Sequence, residues 1–266
     1  TIKSQMEIIF ERSSLPPNTT PHSIGIDSDG HEFQSLEELW AARVGKLRNS
    51  MRFYQKSSDY WESREASIDG VLGGLPEIHE PDVSASENFL TSLKDFVPGG
   101  TALDCGAGIG RVTKHLLLKH FSTVDLVERS EMLLEKAAEE LSSVPANSVG
   151  KAGEFICEGL QDFVPETGKY DCIWIQWVLE HLTDDDLTLF LERCKAALNK
   201  DGMIVVKENH TREGFGFFLD LDDYSIIRSQ EHLETLFRES SLQLIKCRNQ
   251  EGFPNGMFPV KMWALK

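Results

Sequence analysis

The spacing of apolar and polar positions divides the chain into two unlike parts. From residue 100 onward, short runs rich in β-branched and aromatic residues alternate with stretches whose apolar residues recur every three or four positions. The runs near 101–105, 123–128, 154–159, 170–176 and 202–208 predict strands, and those near 109–118, 131–141 and 184–198 predict helices. Strands and helices in that order imply an α/β fold, a parallel sheet wrapped by helices. After a further helix near 228–239, the β-rich segments 242–248 and 257–265 lie too close for a helical crossover and should pair antiparallel. Thr183-Asp184-Asp185-Asp186 precedes Leu187, Phe190, Leu191, Cys194 and Leu198 at helical spacing, so the acidic run has a ready role at a helix N-terminus.

The first hundred residues read differently. Residues 12–32 concentrate Ser, Pro, Thr, Asn, Asp and Gly and offer little apolar surface to offset ordering entropy, which predicts a loose tail. Ser35-Leu36-Glu37-Glu38 has the spacing of a capping box ahead of a helix through Trp40, and Ser84-Ala85-Ser86-Glu87 repeats it ahead of Phe89 and Leu90. A second aromatic-rich helix is expected from Phe53-Tyr54 to Tyr60-Trp61, and Gly70, Gly73 and Gly74 then punctuate a loop.

Composition narrows the choices. The 266 residues hold 43 acidic and 27 basic side chains, a formal charge of −16, with 40% hydrophobic residues, which suits a globular domain with an appendage. Binding along phosphate backbones is built on Lys and Arg, so this charge disfavours nucleic acid and favours a cationic partner. The longest apolar stretch, Ile173 to Leu179, is interrupted by Gln176 and falls far short of the roughly 20 residues that span a bilayer. The opening residues lack a basic-then-apolar plan, so an intracellular setting is expected. Cys105, Cys157, Cys172, Cys194 and Cys247 sit in apolar segments without metal-ligand spacing, which predicts buried reduced thiols and no metal.

Asp104-Cys105-Gly106-Ala107-Gly108-Ile109-Gly110 follows a predicted strand and opens a helix, where an open α/β sheet binds its ligand. A dinucleotide fingerprint would carry its third glycine at Arg111, which leaves an NAD enzyme as the lesser alternative. The spacing D-x-G-x-G-x-G resembles instead the first motif of Rossmann-like S-adenosylmethionine methyltransferases. Glu128 ends the next strand, where a carboxylate can accept both ribose hydroxyl protons. Taken singly, the glycines could be a tight turn and Glu128 a solvated acid. Enzymes that methylate base amines usually carry Asp/Asn-Pro-Pro-aromatic after the fourth strand, whereas this chain has Ile173-Trp174-Ile175-Gln176-Trp177.

The stretches 103–111, 159–163, 170–178, 181–184 and 206–209, with Leu219-Asp220 to Ser225, resemble the protein α-N-terminal methyltransferases, in order from about Tyr60 to the C-terminus. Gly25-Ile26-Asp27-Ser28-Asp29-Gly30 is similar to plant members. The resemblance implies a Rossmann-like class I fold with a seven-stranded, mostly parallel sheet whose last strand is antiparallel. It implies a flexible tail over 1–33, a helical extension and substrate lid over 34–83, and a methyltransferase domain over 84–266. It further implies methyl transfer from S-adenosylmethionine, leaving S-adenosylhomocysteine, to the α-amine of proteins beginning X-Pro-Lys. A monomer, cytoplasmic or nuclear, acting on such peptides without nucleic acid, membrane or metal is expected.

By this resemblance Trp61, Gly106, Gly108, Arg111, Glu128, Leu160, Gln161 and Gln176 contact the cofactor, with Arg111 on the methionine carboxylate. Tyr60, Leu72, Gly73, Trp177, Asn209, Asp220 and Ser225 bind substrate: Asn209 the first carbonyl, Trp177 the second-position Pro, Asp220 and Ser225 the third-position Lys. Asp223 and His181 are the expected bases. Two positions depart from the family pattern, which has Gly where this chain has Glu180, and a Gly-Tyr-Gly-His type of run where it has Gly73-Gly74-Leu75-Pro76. Deprotonating an α-amine with a pKa of about 7.8 costs roughly 1.1 kcal/mol at pH 7, against roughly 4.6 for Lys, so a chain end is the easier target. A small-molecule amine or carboxyl methyltransferase and a non-catalytic cofactor-binding module are the competing readings.

Overall fold

The chain's alternation of β-rich and helical runs produces a seven-stranded sheet in a computed structural model that describes residues 24–43, 51–93, 99–143 and 150–266. Its strands are β3 (Thr101–Cys105), β4 (Thr123–Glu128), β5 (Lys151–Cys157), β6 (Tyr170–Gln176), β7 (Leu198–Asn209), β10 (Leu244–Asn249) and β11 (Val260–Leu265). They lie in the order β10-β11-β7-β6-β3-β4-β5. Strands β3 to β7 pair in parallel, and β11 runs antiparallel to both β7 and β10. The expected class I methyltransferase sheet with its antiparallel last strand is therefore present. Because β3 pairs β4 on one side and β6 on the other, sheet building reverses at β3, and a crevice opens beyond its C-terminal end.

Both faces of the sheet are covered, so successive residues of one strand enter different cores. Leu103 and Cys105 join a cluster with Ile173, Ile175, Val206 and the helices α7 (Asp184–Ala197) and α8 (Gln230–Glu239). Ala102 joins Val124, Leu126, Trp174 and Val205 against α4 (His79–Thr91) and α6 (Glu131–Ser142). The Ser35 hydroxyl accepts from Glu38 N–H and caps α1 (Leu36–Arg43), while the Glu38 carboxylate accepts from Gln34 N–H. Thr183 caps α7 in the same way. The aromatic-rich segment forms α2 (Met51–Glu62), the glycine-punctuated loop contains the single turn α3 (Ile68–Val71), and α5 (Arg111–His115) follows the glycine motif.

Several elements depart from the pattern read along the chain. Ser84 to Glu87 lies inside α4, which starts at His79 after a 3-10 turn, so that spacing caps nothing. The helix expected near 109–118 breaks at Leu116 into a 3-10 turn. Cys157 and Cys247 are exposed, because each lies on a strand at the sheet's edge, whereas Cys105, Cys172 and Cys194 are buried.

Residues 25–33, expected within a flexible tail, form β1 (Gly25–Asp27) and β2 (Glu32–Phe33); the tail up to residue 23 lies outside the described residues. With β8 (Phe217–Leu219) and β9 (Ile226–Arg228) they build a second sheet in the order β2-β1-β8-β9. Its apolar contacts include Phe33 of β2, fully buried against Phe217 of β8.

Arg228 fastens this small sheet to the large one. Its guanidinium is buried, bonds Asp184 Oδ1 at 2.8 Å, and donates to the carbonyls of Leu179 and Leu182. Burial pushes the Asp184 carboxyl up, but Arg228 and His232 outweigh it and hold it well below the usual carboxylate range. A carboxyl depressed in the folded state stabilises fully above its unfolded pKa, and that stabilisation is lost as pH falls through the native value. Asp184→Asn should therefore destabilise the fold by about 3–5 kcal/mol near neutrality, the cost of stranding a buried cation. Denaturant melts should show a difference from wild type that narrows at strongly acidic pH.

Candidate active site

The crevice at the end of β3 is lined by the glycine turn, by the ends of β4 and β6, and by α2. Counted out to its mouth, its empty space is about 1130 Å³. Gly106 adopts φ +68°, and a Cβ there would come within 2.6 Å of Val178 Cγ2, so both conformation and space demand glycine. The turn is closed by Asp104, whose Oδ2 accepts from the amide and hydroxyl of Thr113 on α5 at 3.1 and 2.6 Å. Burial raises this carboxyl to about 6.

Glu128 reaches the crevice from β4. One carboxylate oxygen accepts from Gly108 N–H and the other from Ser130 N–H, each at 2.9 Å. Each oxygen keeps a further lone-pair direction for a hydroxyl donor. On the opposite wall, Arg111 is buried and donates to Asp82 Oδ2 at 2.7 Å, with its guanidinium over the Trp177 ring at 5.6 Å. Gln176 donates to Asp82 Oδ1 at 2.9 Å and accepts from Trp174 Nε1 at 3.0 Å, which fixes the orientation of its amide. The buried Lys207 completes the set with Asp82 and with Ser86 Oγ at 2.9 Å. Burial would raise Asp82, but Lys207 and Arg111 hold it below the usual range, and burial lowers Lys207 to about 8. A negatively charged group entering beside Arg111 meets a rigid, multiply held guanidinium.

His181 stands in a 3-10 turn, Leu179–His181, at the crevice wall. Trp61 Nε1 donates to its Nε2 at 3.2 Å, which makes Nε2 an acceptor and puts the ring proton on Nδ1, 3.1 Å from Ser57 Oγ. Burial pushes its pKa down to about 4, so the imidazole is neutral at pH 7 with both nitrogens engaged.

Beyond Trp177, carboxylates gather. Asn209 donates to Glu180 Oε2 at 3.0 Å, and Glu208 accepts from the amides of Val178, Leu179 and Asn209. Burial, with Glu208 and Asp223 nearby, drives Glu180 well above the ordinary carboxyl value, and burial raises Glu208 to about 7. Asp220 and Asp223 belong to the loop between β8 and β9, where Asp220 Oδ1 accepts from Asp222 N–H at 2.8 Å and Asp223 Oδ1 from Ser225 N–H at 2.9 Å. Asp223 is raised by burial against the bonds from Ser225. Tyr60 borders the same loop: burial, then Asp223, raises its phenol.

The residues expected from the sequence thus fall into two groups. Trp61, Gly106, Gly108, Arg111, Glu128, Leu160, Gln161, Gln176, Trp177 and His181 line the crevice. Tyr60, Asn209, Asp220, Asp223 and Ser225 lie on its acidic side. In the segment expected as the lid, Val71 lines the crevice, Leu72 is buried, and Gly73 turns the chain at φ +63°. Asp82, Lys207 and Trp174 were not singled out by sequence, since Asp82 sits in an ordinary acidic stretch and Trp174 reads as packing. The available signal was Lys207 directly after the apolar run Met203 to Val206, within the strand. Trp177, at φ +51°, has its indole N–H buried without a partner among the described residues.

The described AdoMet-dependent proline di-methyltransferase family matches residues 49–266. The chain belongs to the α-N-terminal protein methyltransferase family. It is 42% identical to the alpha N-terminal protein methyltransferase 1 of Arabidopsis thaliana, over 91% of this chain and 90% of that protein. It is 41% identical to the N-terminal Xaa-Pro-Lys N-methyltransferase 1 of Mus musculus, over 83% of this chain and 98% of that protein. A solved SAM-dependent methyltransferase of Leishmania major superposes with a TM-score of 0.84 at 38% identity, covering 94% of this chain and all of that one.

The crevice fits the S-adenosylmethionine that this methyltransferase family uses. It offers a carboxylate with free acceptor directions for ribose, an arginine for a carboxylate, and glycines that admit close backbone approach. Glu128→Gln keeps the shape but leaves one oxygen to serve the amides of Gly108 and Ser130, so one of them faces a donor. Calorimetry should show S-adenosylhomocysteine binding weakened about 10- to 100-fold, the size of a hydrogen bond to a charged group.

Proposed function

We propose that this enzyme transfers methyl groups from S-adenosylmethionine to the α-amine of proteins that begin X-Pro-Lys. The observation that carries the reading is the buried carboxylate group around Asn209. Glu180, Glu208 and Asp223 have no ion-pair partner among the described residues, so a cationic chain end complements this cluster. The chain's −16 charge favours the same class of substrate over nucleic acid. The names of the relatives from Arabidopsis and mouse agree with it.

Bound S-adenosylmethionine supplies a methyl carbon on a sulfonium, which leaves as a neutral thioether when nitrogen attacks in line. The protein's part is to deliver a neutral amine and hold it. Asp223 accepts the proton of the α-ammonium: its raised pKa brings it nearer that of an amine, which makes the transfer less uphill. His181 is less suited to that step, since a group with a pKa of about 4 whose nitrogens serve Trp61 and Ser57 is a weak base. Its role is to fix Trp61 at the crevice. Asn209 holds the first carbonyl through the Nδ2 hydrogen that Glu180 leaves free. Trp177 offers a flat face to the second-position Pro, which has a fixed φ and no N–H to satisfy. Asp220 and Ser225 receive the third-position Lys.

Two carboxylates with different tasks should respond differently to neutralisation. Asp223→Asn should lower kcat by about 100-fold or more, with S-adenosylhomocysteine affinity kept. Asp220→Asn should raise the KM of an X-Pro-Lys peptide roughly tenfold with a smaller change in kcat. In the wild type, kcat/KM should rise with pH, because both the acceptor carboxyl and the amine must be deprotonated. Mass spectrometry should find methyl groups on the X-Pro-Lys peptide and none on its N-acetylated twin. Equal labelling of the twin, or labelling of free small amines alone, would overturn the assignment.

A further inference from the structure

Residues 25–43 lie upstream of the segment matched by the family, yet they are built onto the acidic loop. Strand β1 pairs in parallel with β8, Gly25 opposite Phe217 and Asp27 opposite Leu219. Ser28 then continues the contact past the end of the strand. Its N–H donates to the Leu219 carbonyl at 3.0 Å, and its hydroxyl oxygen accepts from Leu221 N–H at 3.1 Å. Leu219 and Leu221 flank Asp220, so one serine grips the backbone on both sides of that carboxylate.

Ser28 is itself held in place. Asp27 Oδ1 accepts from the amides of Asp29 and His31 at 3.1 and 2.9 Å, closing the hairpin turn, and Asp27 Oδ2 pairs with Arg43 at the end of α1. Trp40 of α1 meets Phe53 of α2 edge-on, and Phe53 in turn packs on Tyr224 of the acidic loop, over which the Lys56 ammonium lies at 4.9 Å. The N-terminal hairpin and α1 therefore bracket the loop: one end grips Asp220 from below, the other braces Tyr224, between Asp223 and Ser225. A hairpin that merely covered apolar surface would need Phe33 and Ile26, but not a side-chain acceptor aimed at a loop amide.

We propose that Ser28 is a positioning residue for substrate selection, which by fixing the backbone around Asp220 sets how strongly the enzyme distinguishes a cationic third residue from a neutral one. The proposal rests on the reading of Asp220 as the receiver of that residue. Loss of the hydroxyl frees Leu221 N–H while leaving the main-chain bond of Ser28 and the buried hairpin residues intact.

The test uses the full chain with two peptides, X-Pro-Lys and X-Pro-Gln. For wild type the Lys peptide should have the lower KM. In Ser28→Ala the Lys-peptide KM should rise about 3- to 10-fold, the span of one hydrogen bond. The Gln-peptide KM, kcat and S-adenosylhomocysteine affinity should stay within twofold, and Ser28→Thr should restore the preference. Amide exchange over residues 219–225 should quicken in the alanine variant. An unchanged preference in Ser28→Ala would overturn the role of Ser28 alone, as would equal losses on both peptides or a parallel loss of cofactor affinity. A wild type indifferent to Lys against Gln would instead remove the role of Asp220, and the proposal with it.

Discussion

A single buried carboxylate, Asp82, constrains the cofactor half of this enzyme. An isolated ion in the interior is too costly to survive, so Asp82 persists only where donors converge on it. Lys207 arrives from β7, Gln176 from β6 and Arg111 from α5, while Asp82 itself belongs to α4. Satisfying one charge thus forces four elements into register at the C-terminal edge of the sheet. The same bonds hold Arg111 over the Trp177 ring and fix the Gln176 amide between Asp82 and Trp174, and both Arg111 and Gln176 line the crevice.

The pleat of β7 separates the site's two electrostatic halves. Lys207 and Glu208 are adjacent, and alternation sends them to opposite faces. Lys207 goes to Asp82 and Ser86, on the side of Arg111; Glu208 goes to the amides of Val178 and Leu179, on the side of Glu180 and Asn209. Cationic groups thus gather beside Asp82 and carboxylates beside Asn209, the charge separation on which the proposed function draws. Trp177, in a left-handed conformation at the strand end, packs its ring against Arg111. Carboxylates that attract a cationic peptide also favour the protonated amine. Burial, which raises both Glu180 and Asp223, works against their charged forms.

The acidic loop is held mostly by parts of the chain remote from it in sequence. Arg228 ties β9 to the turn carrying His181 and to the N-terminus of α7. Leu221 and Tyr224 are held from the N-terminal side, by Ser28 and Phe53. A loop between two three-residue strands has little rigidity of its own, so its geometry is borrowed from these anchors.

The sequence by itself determined the sheet, the glycine turn and the helix caps at Ser35 and Thr183, because each depends on residues close together in the chain. Periodicity, a strand-to-helix turn and a cap are local constraints. Through resemblance it also named, residue by residue, the positions expected at the site. Only the tertiary structure decided that Asp82 and Lys207 form the hub behind Arg111, that His181 has both nitrogens engaged, and that residues 25–33 form a hairpin of two short strands. Each of those depends on partners far away in the chain: Asp82 meets Lys207, His181 meets Trp61, and a polar stretch with little apolar surface becomes a strand once β8 offers it hydrogen bonds. A pattern of single positions does not encode such pairings, since they exist only after the chain has brought the two ends together.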